Sequence, residues 1–409
     1  MNAGIRSKRL IVSLAVLALG AALAAATATA GRTAGGPIAI AGLEGVAAQG
    51  GPDFMDGMKV ATSVINKAGG VNGRMLSLKL FPTGGTAEGA ASAYRAASGN
   101  KAVIGSFLGA AGGLAIAALS PTVKMAIITA TGNDAIDRPI KKYVFSNSAG
   151  YEYATSALVY AVKKLGIKSV AAVHYDTDFS QQIGSALKNR CKTLGCKVTA
   201  VESASAGASV DQIIPQLTKM KDSGADAYYI ESLNPNAMAA ARQLGMFDKP
   251  VISEQWLTVP GLAIACAANC EGVVFGAHKC VDRAVLPASD PVVATCKAYV
   301  AQWDAYFNNK KPYSQFSIYG RDAVYTYAAA AKVVLDAGKP LTRDNVAAAM
   351  ENFKKGQLVT THGNIITTPK NHRLTGTWTE GYVDTVVTVK NGVPTWTPAP
   401  KADLAGATP

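Results

Sequence analysis

From Pro37 to Glu254 the chain alternates short apolar runs with segments of helical period, and this alternation limits its fold more than any other feature. "PIAIAG" (37–42) is apolar at nearly every position, as a strand buried on both faces is, and a Gly-rich loop (43–52) follows it. "DFMDGMKVATSVINKAG" then places Phe54, Met58, Ala61, Val64 and Ile65 on one helical face, with Asp53 suited to its start and Gly69 to its end. The junction "AGGVNGRMLSL" (68–78) carries the stop and the restart: Ala68-Gly69-Gly70 ends the helix in left-handed backbone, and Asn72-Gly73 turns the chain into the strand "MLSLKLF".

The same rhythm predicts helices over 87–98, 112–124, 151–165, 181–194, 211–221 and 237–244, each followed by a β-rich run such as "AVIGS", "AIITA", "SVAAVHY", "KVTAVES", "AYYIES" or "PVISE". Such a pattern specifies parallel sheets covered by helices on both faces. A chain of 409 residues exceeds what one core organises, so two lobes are expected, dividing near Asn147 to Tyr151. Beyond Glu254 the pattern loosens into helices over 292–308, 317–335 and 343–353 and a hairpin, "YVDTVVTVKNGVPTW", turning at Asn391-Gly392. These helices are expected to return to the first sheet. The expected division is 37–149 with 279–358 in lobe 1, 150–278 with 359–398 in lobe 2, and a disordered tail over 399–409.

Residues 1–30 read as a separate object, with Arg6, Lys8 and Arg9, an apolar run from Leu10 to Ala25, and a small-x-small end at Ala28-Thr29-Ala30. That is the pattern of an export signal cleaved after Ala30, too short and Ala-rich for a membrane span. No cysteine lies near the cut, so a soluble periplasmic or secreted product is expected. The formal charge is +13; the signal holds three basic residues and no acid, so the remainder carries +10. Its lysines are scattered, without a basic stripe interleaved with aromatics, which argues against a nucleic-acid partner.

Six cysteines in an exported chain read as disulfides, with nearest-neighbour pairing expected among Cys191, Cys196, Cys266, Cys270, Cys280 and Cys296. Their spacings are not those of zinc knuckles, and His174, His278, His362 and His372 are dispersed. "GSFLG" lacks a nucleophile elbow and no Gly-x-Gly-x-x-Gly follows the first strand, so neither catalysis nor a metal or dinucleotide cofactor is expected.

Together "FMDGMKVATSVINK", "AGGVNGRMLSLKL", "VIGSFLG", "MAIITATGND", "YVFSNSA", "SVAAVHYDTDFSQQIGSALK", "DQIIPQLTKMKDSGADAYYIESLNPNAMAAARQLGM" and "FSIYGRDAVYTYAAAAK" resemble, in order and spacing, the type I periplasmic binding fold of the Leu/Ile/Val-binding protein family. The resemblance implies an α/β fold of two doubly wound lobes with parallel sheets joined by a hinge of three crossover strands. It also implies a monomer that clamps a small solute between the lobes and delivers it to the membrane permease of an ABC-type importer. A soluble ligand-binding subunit of a membrane sensor is the alternative with the same fold and pocket.

The family's pocket carries over unevenly. The loop after "VIG", where the family has a carboxylate-binding serine, is Phe107-Leu108-Gly109-Ala110-Ala111, so Leu108, Gly109 and Ala110 offer backbone donors only. Thr131 or Asn133 corresponds to a polar contact, or else Asn133-Asp134 is a turn and helix cap. The family's first-loop aromatic aligns with Gly50, leaving Glu44 and Gln49 as polar candidates. Phe179 stands for a ligand-covering tyrosine, Glu254 for the acid that binds the ligand ammonium, and Trp256 for a pocket wall, while Ser232, Asn234, Tyr151 and Tyr153 lie near the cleft. A solute such as an amino acid, or a related small polar or aromatic acid or amide, is expected.

Overall fold

The computed structural model describes residues 35–398 apart from 46–49, 103, 108, 134, 137, 149, 151–153, 178, 282–289, 291, 376–381 and 391–392. The signal segment, the tail 399–409, Gln49, Leu108, Tyr151, Tyr153 and the Asn391-Gly392 turn therefore lie outside the described residues. The chain begins with β1 (Ile38–Leu43), α1 (Gly51–Lys67), β2 (Leu76–Phe81), α2 (Ala87–Gly99), β3 (Ile104–Phe107), α3 (Ala110–Val123), β4 (Ala126–Thr129) and β5 (Val144–Ser146). It continues with α4 (Ser156–Leu165), β6 (Ser169–Tyr175), α5 (Ile183–Leu194), β7 (Lys197–Ala204), α6 (Val210–Asp222), β8 (Ala227–Ile230), α7 (Pro235–Gln243), β9 (Val251–Ser253), α8 (Pro260–Cys266) and β10 (Val274–His278). The last third holds α9 (Val293–Phe307), α10 (Gln315–Asp336), α11 (Arg343–Met350), the short pair β11 (Val359–Thr360) and β12 (Gly363–Asn364), then β13 (Tyr382–Lys390) and β14 (Val393–Pro398).

The first sheet is parallel with order β2-β1-β3-β4-β5. The second has order β14-β13-β10-β9-β8-β6-β7, so β7-β6-β8-β9-β10 repeats the topology of the first and an antiparallel pair, β13 and β14, extends its edge. In each sheet the order reverses beside the first strand of the unit. In open α/β sheets ligands bind beyond the carboxyl ends of strands at that reversal, which here means the ends of β1 and β3 and the ends of β6 and β8.

Local chemistry explains the junction after α1. Gly70 N–H donates to Ile65 O and Ala68 N–H to Val64 O, while Gly69 and Gly70 adopt φ of 98° and 75°. A Cβ on Gly70 would lie 2.3 Å from Arg74 O, so only glycine fits.

Helix α10 packs across α1 through two glycines. A Cβ on Gly57 would lie 1.9 Å from Ser317 O, and one on Gly320 would lie 1.9 Å from Phe54 O. Each helix thus presses its backbone into the other's missing side chain, and this joins the C-terminal helices to the first sheet. Gly57→Ala should lower the unfolding free energy by about 1–3 kcal/mol, because backbone cannot yield as a side chain would; urea titration of the two proteins checks it.

The segment after α11 departs from the expected division. Residues 359–374 do not travel as one block with 382–398. Ser146 N–H donates to His372 O at 3.1 Å, Leu374 N–H donates to Ser146 O at 2.6 Å, and the His372 ring stacks on Phe145 with centroids 4.4 Å apart. This stretch therefore continues the edge of the first sheet at β5, and only β13 and β14 join the second. An Asn-Gly hairpin signal says where a turn falls but not which sheet the residues before it will edge.

The cysteines pair as Cys191–Cys196, Cys266–Cys270 and Cys280–Cys296. The third joins the end of the return crossing from β10 to α9, inside a cluster of Val60, Tyr299, Val300, Trp303 and Ile318. Just before it, His278 enters a buried polar network. Cys280 N–H donates to His278 Nδ1 at 3.1 Å, so His278 Nε2 carries the proton and donates to Thr361 Oγ1 at 3.3 Å. Thr361 Oγ1 donates in turn to Asp322 Oδ2, which also accepts from His362 Nδ1 at 3.0 Å; Asp322 Oδ1 accepts from Arg321 Nη1 at 2.6 Å. Burial, reinforced by His362, keeps His278 well below its ordinary pKa and neutral.

Candidate functional site

The second-lobe wall of the site is built at the ends of β8 and β9. Glu254 follows the last residue of β9 and caps the single turn Gln255–Thr258: its Oε2 accepts from Trp256 N–H at 3.2 Å. Its Oε1 accepts from the Ser232 N–H and the Ser232 hydroxyl, both at 3.1 Å. Glu254 is fully buried. Next to it, Glu231 extends β8 into the reversal point between β6 and β8, also fully buried, and accepts from Tyr175 N–H at 3.0 Å and the Ser180 hydroxyl at 2.5 Å. The Trp256 indole N–H faces the Glu231 carboxyl but falls short of a hydrogen bond, and it has no other partner among the described residues.

Two carboxyls in one dry site cannot both ionise cheaply. Burial pushes the Glu231 carboxyl up to about 7 against the hydrogen bonds from Ser180 and Tyr175 and the facing Trp256 indole N–H, which favour its charge. Burial and then the neighbouring Glu231 push Glu254 well above the ordinary carboxylate range. Burial, aided by both acids, also raises the Tyr175 hydroxyl, which donates to Asn234 O at 3.2 Å. Neither carboxyl forms an ion pair with a cationic side chain among the described residues.

Aromatic rings line the seam between the lobes. Phe179 meets Trp256 edge-on with centroids 6.3 Å apart, and Trp256 meets Phe316, at the start of α10, at 5.3 Å. Phe316 explains why the first loop has glycine where the family resemblance expects an aromatic: a Cβ on Gly50 would lie 2.3 Å from the Phe316 ring. Alongside it, Gln315 Nε2 donates to Gln255 Oε1, and the Tyr319 hydroxyl donates to the same oxygen at 3.3 Å. Gln315 Oε1 meanwhile accepts from His278 N–H at 3.0 Å. A cavity of about 230 Å³ opens beside this seam, bounded by Gly50, Pro52 and Asp53 on one side and by Val259, Pro260 and Gly261 on the other.

On the first-lobe side, Gly109 precedes α3 with φ 142° and ψ 148°, a backbone that favours glycine, and leaves the first-turn N–H groups of Ala110 and Ala111 at a helix N-terminus. Thr131 lies past the end of β4, with its methyl about 3.6 Å from where a Cβ on Gly113 would sit. Asn133 Oδ1 accepts from Ala135 N–H at 3.0 Å, which commits its carbonyl oxygen to the turn. Glu44 follows β1, half-buried, and its backbone is held by Phe81 O and the Thr83 hydroxyl. No hydrogen bond joins it to the Glu231–Glu254 group among the described residues.

Of the residues singled out in the sequence, Ser232, Glu254, Trp256 and Phe179 thus come together at one wall. Asn234 does not: its Oδ1 caps α7 through Asn236 N–H and its Nδ2 donates to Ala208 O at 2.7 Å, so its polar atoms serve the loop. Sequence reasoning passed over Glu231, Gln255, Gln315, Phe316 and Tyr319. Glu231 had a signal, since an acid ending the wholly apolar run "AYYI" has no solvent-facing register to occupy.

The sequence profile of the periplasmic binding protein family matches residues 39–386. The Leu/Ile/Val-binding protein homolog 3 of Brucella melitensis is 26% identical over 276 residues, 66% of this chain and 74% of that protein. An extracellular ligand-binding receptor from Rhodopseudomonas palustris superposes with a TM-score of 0.75 at 18% identity, over 89% of this chain and 100% of the other. The branched-chain amino acid transporter substrate-binding protein LivJ from Streptococcus pneumoniae, solved with isoleucine, gives 0.70 at 19% identity, over 88% and 100%. Among the described residues no helix is long and apolar enough to cross a membrane. The chain belongs to the periplasmic binding protein family, whose members bind solutes and are not enzymes.

Proposed function

We propose that the chain is the extracytoplasmic solute-binding component of an ABC-type importer, exported by the segment 1–30 and closing its two lobes around a small amino-acid-like solute. The observation that carries this reading is the meeting of the two strand-end surfaces: Gln255 and Trp256 from the second lobe lie against Gln315, Phe316 and Tyr319 from the first, at the carboxyl edges where doubly wound sheets bind ligands. Helix N–H groups after Gly109 supply donors for an anionic end, and Glu254 with Ser232 supplies acceptors for a cationic one. The transporter names of the relatives support the importer as partner. The fold serves a membrane sensor equally well; neighbouring permease and ATPase genes would favour the importer, and a neighbouring kinase gene the sensor.

A thermal-shift screen of the chain from Gly31 against amino acids, aromatic carboxylates, amides and polyols tests the reading. A true ligand at a hundredfold its dissociation constant should stabilise the protein by about 2.7 kcal/mol. Glu254→Ala should remove the shift for amine-bearing solutes. A protein unmoved by every class of solute would refute solute binding.

A further inference from the structure

We infer that Glu231 is a second acid of the binding site, and that Glu231 and Glu254 together accept one cationic nitrogen of the solute in exchange for a proton they hold between them. The inference deepens the solute-binding reading and rests on it.

The geometry supplies the argument. Both carboxyls are fully buried, they stand on adjacent strands of one sheet, and Ser232 ties the end of β8 to Glu254. Glu254 accepts three hydrogen bonds and Glu231 two, of the roughly four lone-pair sites each carboxylate offers. Acceptor capacity therefore remains on both. Among the described residues, the groups hydrogen-bonded to them are Tyr175 from β6, Ser180 after it, Ser232 and Trp256, and of these Tyr175 is titratable. The Trp256 indole N–H faces the Glu231 carboxyl from the same wall.

Two uncompensated negative charges in such a place are untenable, so one acid keeps a proton while no cation is present. The raised Glu231 and Glu254 carboxyls described above agree with this. A protonated amine entering the site brings the counter-charge itself. The acid O–H bond then breaks, its proton goes to solvent, and both carboxylates face the ammonium. The preferred solute class is accordingly one with a cationic nitrogen, and binding should tighten as pH rises through about 7.

Two arms test this. In the ligand-free protein an acid with a raised folded pKa makes stability fall as pH climbs from the unfolded toward the folded value. Wild type should therefore lose stability as pH rises from the ordinary carboxylate range to about 7, and Glu231→Gln, which is isosteric, should flatten that limb by about one proton. Identical slopes overturn the shared proton. The second arm is calorimetry with L-leucine and with 4-methylpentanoate, the same skeleton without the ammonium, in phosphate and in Tris. Leucine should bind with release of up to one proton, reduced in Glu231→Gln, and 4-methylpentanoate should bind more weakly. Leucine binding without proton release, or equal binding of both probes, overturns the exchange while leaving solute binding intact. If no solute of the screen binds but the pH slopes differ as expected, solute binding itself is refuted and the exchange falls with it.

Discussion

Replacing Asp322 with alanine should cost about 3–5 kcal/mol of unfolding free energy, the range for removing one partner of a buried ion pair. Asp322 is 1% exposed and accepts from four donors: the Arg321 guanidinium, the Thr361 N–H and hydroxyl, and the His362 ring. Burial opposes its ionisation, but the hydrogen bond from His362, the charge of Arg321 and the Thr361 hydroxyl more than offset it and hold the carboxyl well below the usual range. In Asp322→Ala the Arg321 cation, itself 5% exposed and stacked on Tyr325 at 4.0 Å, is left buried without its anion. Asp322→Asn keeps an acceptor for the Thr361 N–H while losing the charge, and should fall between the two. The sign of the pH effect follows from the lowered pKa: this contribution is present above the ordinary carboxylate range and lost as pH falls below it. Urea denaturation at neutral pH and near pH 2 checks both statements, and an alanine variant within about 1 kcal/mol of wild type would contradict the network.

The second large effect concerns the Cys280–Cys296 bridge. Replacing both cysteines with serine should cost about 3 kcal/mol, the loop-entropy value for a closure of 16 residues. Cys191–Cys196 and Cys266–Cys270 close loops of only 5 and 4 residues, so their removal should cost less. Position adds to length here, since both sulfurs of the third bridge lie inside the cluster of Tyr299 and Trp303 and serine hydroxyls would be buried there. Melting curves of the three double variants give the ranking directly.

How much of this was legible depended on whether information was local. The strand–helix alternation, the glycine stop after α1 and the nearest-neighbour disulfides are set by residues close in sequence, and they read correctly. The α8 and β10 stretch did not, because "VVFGAH" lies between cysteine-bearing loops that hide its period. The path of residues 359–374 depends on His372 meeting Phe145, a contact across more than two hundred residues that no window reveals. At the site, the run "PVISE" placed Glu254 at the end of a strand, and it does follow β9, with Trp256 in the turn after it. Phe316 was missed because its role is defined by what Gly50 lacks, and Gln255 and Gln315 because an amide pair across a seam has no spacing signature.

That amide pair has a consequence for affinity. Gln255 is 2% exposed and Gln315 fully buried, so breaking their contact to open the lobes would leave polar groups to be resatisfied by water. Under the proposed closure of the lobes, its strength contributes to the resting proportion of closed molecules before any solute arrives. A ligand that must enter the open form and be held in the closed one has an apparent dissociation constant scaled by those proportions. Two glutamines on opposite lobes can in this way tune the concentration at which the protein responds, independently of the side chains that recognise the solute.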